Sequence, residues 1–200
     1  MRVRWQGVLA VGAVLAALAA GRTGGVPANA GSGPGGPRYV GDSLVRPEGI
    51  ERWVLAGASL GLGYRERSGA DAAGVADALF HNVYIEPSAY AAFAGTGRFP
   101  EGTMLALALH RPRRNVAPSR QGLFEGDRIA VELAVKDRAR HPGGWAYFDF
   151  GDAPAGARAA PLPRQACERC HAEHAADDHV FVQFYPTLRP HSAAFGRRIP

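Results

Sequence analysis

Lysine is almost missing from this 200-residue chain: Lys136 is the only one, and arginine supplies the rest of its 23 basic residues. Cysteine and methionine are nearly as scarce, at two each. Two cysteines cannot build a disulfide framework, and a bridge between this pair, three positions apart, would restrain almost nothing in the unfolded chain. No internal repeat is present. No basic patch is interleaved with aromatics, so the excess of basic residues is weak support for a nucleic-acid partner, and none is expected. The N-terminal apolar stretch, Val8 to Ala20, is short for a membrane span.

That stretch has a different explanation. It follows Arg2 and Arg4 and precedes the small-residue pattern Ala28-Asn29-Ala30, which together read as a secretory signal peptide over residues 1–30. A retained membrane anchor is the competing reading. A Gly/Pro-rich linker is expected over 31–47, leaving 48–200 as one folded domain. Removing 1–30 takes away Arg2, Arg4 and Arg22 and no acid. The basic count then falls from 23 to 20 against 18 acidic residues, and the net charge from +5 to +2. The expected location is periplasmic.

Both cysteines lie in Cys167-Glu168-Arg169-Cys170-His171. Thiols at this spacing share one helical turn and can each form a thioether with a haem vinyl group, while His171 offers an imidazole to the iron. Zinc would need two more ligands. His174 and His179 are available, but they follow the cysteines too closely for a finger-like loop. A redox dithiol would want a thioredoxin-like context, and none is visible. Covalent haem c, one per chain, is the favoured assignment, with Cys167, Cys170 and His171 as its attachment and metal residues.

Elsewhere the pattern is mostly strand. Arg52–Tyr64, Ala78–Glu86, Thr103–His110, Ile129–Lys136 and Trp145–Phe150 are apolar, alternating or aromatic-rich. Pro87 to Ala94 reads as a short helix ended by Gly95 or Gly97. Pro163–Ala176 and Asp178–Leu188 read as two helices around the cysteine motif. The expected fold is α+β and mainly β: an antiparallel sheet of about five strands with short helices, the haem motif on C-terminal ones. In Ile129–Lys136 the residues Ile129, Val131, Leu133 and Val135 make one apolar face. The other carries Glu132 between Ala130 and Ala134, where small neighbours leave room for a flat group and a half-buried carboxylate could accept a proton. An ordinary solvated outer face is the alternative.

Taken in order, these segments resemble the cytochrome P-460 family of periplasmic mono-haem proteins from about Glu51 to Arg189. The likeness is carried by Arg52-Trp53-Val54, Val83 to Pro87, Phe99 to Thr103, Val131-Glu132 with Val135-Lys136-Asp137, Gly144 to Tyr147, Cys167 to His171 and Val180 to Pro186. It implies a mostly β, homodimeric fold and a five-coordinate haem. It also implies that Glu132 handles protons over the haem, and that His81 stands where the family has a distal arginine, as proton donor, gate or sixth ligand.

One departure matters. Family members that oxidise hydroxylamine join a lysine to the haem ring, and the matching position here is Leu107, which cannot form that bond. Lys136 belongs to another motif. In this respect the chain is similar to the related cytochrome c′-beta proteins, which bind nitric oxide at an open apolar face. Leu107, Phe80 and Met104 are candidates for such a face, but alternation sets Met104 opposite Leu107. The function expected is binding, with oxidation as an extension, of hydroxylamine or nitric oxide, with a soluble cytochrome as electron acceptor. A non-enzymatic gas-binding or electron-transfer cytochrome is the alternative.

Replacing Cys167 and Cys170 by Ala together should yield protein without tightly held haem. Colour that survives acid extraction of this variant would refute thioether attachment.

Overall fold

The computed structural model describes residues 35–62, 78–114, 116–118 and 120–196. The signal-peptide expectation over 1–30, and Tyr64 at the end of the first expected strand, lie outside those residues. Among the described residues no helix is long and apolar enough to cross a membrane.

Five strands form one antiparallel meander: β3 (Val54–Leu60), β4 (Phe80–Ile85), β5 (Met104–Arg113), β6 (Phe124–Lys136) and β7 (Trp145–Asp149), in that spatial order. Each was legible as a β-branched, apolar or aromatic run. Between β4 and β5 lies α1 (Pro87–Thr96). Pro87 opens it, and the Glu86 carboxylate caps it by accepting the Ala89 N–H at 2.9 Å. Gly97 closes it at φ 70°, a left-handed geometry that glycine adopts without steric cost.

Strand pairing places side chains on two faces, because directly opposed residues share a face and successive ones alternate. One face carries Met104, Ala106, Val131, Leu133, Val135, Ala146 and Phe148 in a buried cluster. Its cover is a small sheet of β1 (Tyr39–Val40), β2 (Ser43–Val45) and β8 (Arg158–Ala159). The strands at 39–45 correct the linker expected over 31–47. Leu44 is fully buried and Val45 nearly so, and burying that surface outweighs the flanking Gly/Pro composition. The apolar row of β6 matches expectation from Val131 onward, whereas Ile129 is only half-buried beside a register irregularity opposite Leu109 and His110.

The other face carries Val83, Ile85, Leu105, Trp145 and Tyr147. It packs against Phe93 of α1, Phe99 and the C-terminal segment through Val180, Val182 and Leu188. That segment holds α2 (Glu168–His174), as expected. The second expected helix, over Asp178–Leu188, is instead an irregular loop containing a short 3-10 turn, Val182–Phe184. Asp178 and His179 have positive φ, Pro186 lacks an N–H, and the β-branched and aromatic residues between them favour docking onto the sheet over helix formation. Gly57 of β3 permits that docking: a Cβ there would meet Phe184 O at 3.0 Å and Tyr185 Cα at 3.1 Å.

Phe93 is fully buried, and its ring stacks on Phe99 at 4.0 Å between centroids. Phe93→Ala should therefore cost about 3–5 kcal/mol. A denaturant midpoint lowered at unchanged slope would report it, and an unshifted midpoint would show that α1 is not part of this core.

Candidate functional site

Cys167 caps the N-terminus of α2, and Cys170 lies in its first turn, so both thiols sit on one stretch of helix surface. Both are free and half-buried. The intervening Glu168 is itself buried and anchors the helix: Arg164 holds its carboxylate through two donors on one guanidinium edge, Nε and Nη2, with Nη2 to Oε1 at 2.7 Å. Gly143 leaves the space for it, since a Cβ there would collide with Glu168 Oε1. Burial, and then the charges of Glu132, Cys170 and Asp149, push the Cys167 thiol pKa up. A nucleophilic redox dithiol needs the opposite shift. Among the described residues, no group of three or more His, Cys, Asp or Glu side chains converges to hold a metal.

His171 is the most constrained side chain of the motif. Its ring packs between Tyr147, at 4.6 Å between centroids, and Phe181, at 4.5 Å. Nδ1 lies 2.8 Å from the backbone carbonyl of His179. A carbonyl only accepts, so Nδ1 carries the proton and Nε2 presents the lone pair. Burial also lowers the imidazole pKa, favouring the neutral form. A neutral, oriented imidazole with its second nitrogen committed to a carbonyl is what an iron ligand requires. Around it, the buried atoms Tyr147 Oη and His179 Nδ1 have no hydrogen-bond partner among the described residues. These residues fit a haem carried by two thioethers and one imidazole.

The carbonyl that orients His171 belongs to a tight turn, Asp177 to Val180, closed by the Val180 N–H donating to Asp177 O at 2.7 Å. Its two central residues are left-handed, Asp178 at φ 39° and His179 at φ 63°. Such geometry costs roughly 1–2 kcal/mol per non-glycine residue, so outside contacts must hold it. Lys136 Nζ donates to Asp178 Oδ2 at 2.6 Å and to Phe99 O at 2.6 Å, and Trp145 Nε1 donates to Asp178 Oδ1 at 3.3 Å. The chain's only lysine is thus committed to structure. Glu168, Arg164, Asp178 and the His179 carbonyl all escaped the sequence analysis. Only the acid at i+1 in the cysteine motif and the lone lysine hinted at them.

The sheet brings the remaining candidates together. Across the strands Val83 pairs with Leu107, Leu107 with Glu132, and Glu132 with Asp149, so all four share the face that bears the motif. His81, one pair along, opposes Leu109 on the same face. Glu132 is half-buried between Ala130 and Ala134, and burial, reinforced by the Asp149 charge, raises its pKa. Burial lowers that of His81, whose Nδ1 is enclosed without a partner among the described residues. His81 and Leu107 line one cleft with Val83, Ser59, Phe184 and Tyr185, and Glu132 is the cross-strand neighbour of Leu107. One candidate is corrected: alternation turns Phe80 away from this face. Met104 is buried in the opposite cluster, as its alternation with Leu107 required.

A protein-family model described as Cytochrome P460 matches residues 47–182, more than half of the chain and including every candidate residue above. No curated protein matches it.

The raised pKa of Glu132 has a sign that can be measured. A carboxyl that holds its proton more tightly when folded is at its most favourable below its ordinary value of 4.5, and that contribution is lost as pH rises through the folded pKa. Glu132→Gln removes the cost of burying the charge. Its thermal midpoint relative to wild type should climb between pH 4 and 8; a difference flat in pH would mean Glu132 is solvated.

Proposed function

The chain belongs to the cytochrome P460 family of haem-binding cytochromes, and from that premise we propose that it is a periplasmic mono-haem c protein binding small nitrogen species such as nitric oxide and hydroxylamine. The observation that carries this reading is the His171 imidazole, oriented by the His179 carbonyl and preceded by two free cysteines. Cys167 and Cys170 would hold the haem through thioethers, with His171 Nε2 as the proximal ligand. When bound, haem supplies an iron that takes a small ligand and exchanges one electron.

The chain's own groups then divide the work. Leu107 and Val83 offer apolar surface that excludes water. Leu107 has no nucleophilic nitrogen, and Lys136 is held by Asp178 and Phe99, which supports a haem without a lysine cross-link. His81 lines the cleft, and burial, which lowers its pKa, favours the neutral imidazole that can hold a polar ligand atom there. Oxidation of hydroxylamine is a second reading, favoured by one observation: the raised proton affinity of Glu132, which suits it better than an ordinary carboxylate to accept a proton from an N–H or O–H. The family likeness supports a homodimer and a soluble cytochrome as electron acceptor.

The ferrous spectrum should be that of ordinary high-spin haem c, and nitric oxide should bind. A red-shifted band, or a haem peptide containing Lys136, would refute the absence of a cross-link. Hydroxylamine-dependent dye reduction, if present, should fall about 10²–10⁴-fold in Glu132→Gln with nitric oxide binding unchanged. Wild type that binds nitric oxide without such turnover removes the oxidation reading. An iron that refuses both ligands would make this an electron-transfer cytochrome instead.

A further inference from the structure

The pair Lys136–Asp178 takes no part in the chemistry above, yet its lysine is nearly enclosed, at 5 % side-chain exposure against 28 % for the aspartate. Its position is distinctive. Lys136 ends β6, and Asp178 opens the left-handed step whose next residue, His179, gives its carbonyl to His171. Trp145, paired with Lys136 across the sheet, donates to the second oxygen of the same carboxylate. Two contacts thus fasten one residue of a strained turn to the rigid sheet, and the residue after it orients the proximal imidazole.

We propose that Lys136 and Asp178 are positioning residues that hold the His179 carbonyl against His171 Nδ1 and so set the basicity of the proximal ligand; the inference rests on the haem reading above. A firm hydrogen bond from Nδ1–H to a carbonyl makes Nε2 a stronger donor, which favours ferric over ferrous iron. If the turn slips, that bond lengthens, the iron–imidazole bond weakens and the reduction potential rises. The side chains of Lys136 and Asp178 bond to each other, to Phe99 O and to Trp145 Nε1, and they act through the backbone.

Two near-isosteric variants separate this from a plain charge effect. Asp178→Asn removes a negative charge and Lys136→Met a positive one. A through-space effect alone would raise the potential in the first and lower it in the second. Positioning predicts that both raise it, by about tenfold in the ferric-to-ferrous equilibrium, or about 59 mV for one electron. Both should also lower the iron–imidazole stretching frequency of the ferrous protein. Arg138→Gln, which breaks the exposed Arg138–Glu101 pair (2.5 Å), should change neither. A lowered potential in Lys136→Met, or an unshifted stretch in Asp178→Asn with only its melting temperature reduced, overturns the proposal. If Lys136→Met does not accumulate, the stretch in Asp178→Asn decides alone. Wild type purified without covalent haem overturns the haem reading and this inference with it; loaded protein whose variants keep the wild-type stretch overturns only the inference.

Discussion

The hydrogen bond from His171 Nδ1 to the carbonyl of His179 is the constraint on which the site depends. It fixes the tautomer, directs the lone pair of Nε2 and holds the ring between Tyr147 and Phe181. It also explains why the chain accepts two consecutive left-handed residues without a glycine. Asp178 and His179 must turn sharply so that one side chain reaches back to the sheet while the next carbonyl faces the helix. A glycine would relieve strain at Asp178 but would give up the carboxylate that Lys136 and Trp145 hold.

The sheet works because its two faces have different tasks. One is closed: Met104, Val131, Leu133 and Phe148 are almost without exposure beneath the small β1–β2–β8 sheet. Burying that face supplies a large share of the driving force, alongside the cluster on the other face. The other face is apolar near α1 and the C-terminal loop but becomes half-buried and polar toward Glu132 and His81. Strict alternation along β5 and β6 lets one strand serve both, so Leu107 can border the cleft while Ala106 and Ala108 are buried on the opposite side.

Strands β5 and β6 were legible because a two-residue period writes itself directly into the sequence, β3 and β7 because they are apolar or aromatic-rich runs. The short strands β1, β2 and β8 were not, since two or three residues cannot display a period and only burial of Leu44 and Val45 makes them strands. The loop after Asp178 was missed for the converse reason. Its apolar spacing fits a helix as well as it fits anchors dropped onto a sheet, and positive φ at Asp178 and His179 decides between them. Phe80 was a candidate for the cleft because apolarity is visible in sequence whereas the face it occupies is not.

What the sequence alone determined is chemistry that depends on spacing along the chain. Two thiols and an imidazole within five residues, the absence of lysine at position 107 and the alternation around Glu132 all survive without any tertiary contact. What only the tertiary structure decided is chemistry that depends on distance between segments. Leu107 and Glu132 lie 25 positions apart, Lys136 and Asp178 42 apart, and each pair becomes neighbours only when strand register and loop docking are set. No local pattern encodes such a meeting, because the register comes from burying whole faces at once, and the raised proton affinity of Glu132 and lowered ones of His81 and His171 follow from that burial.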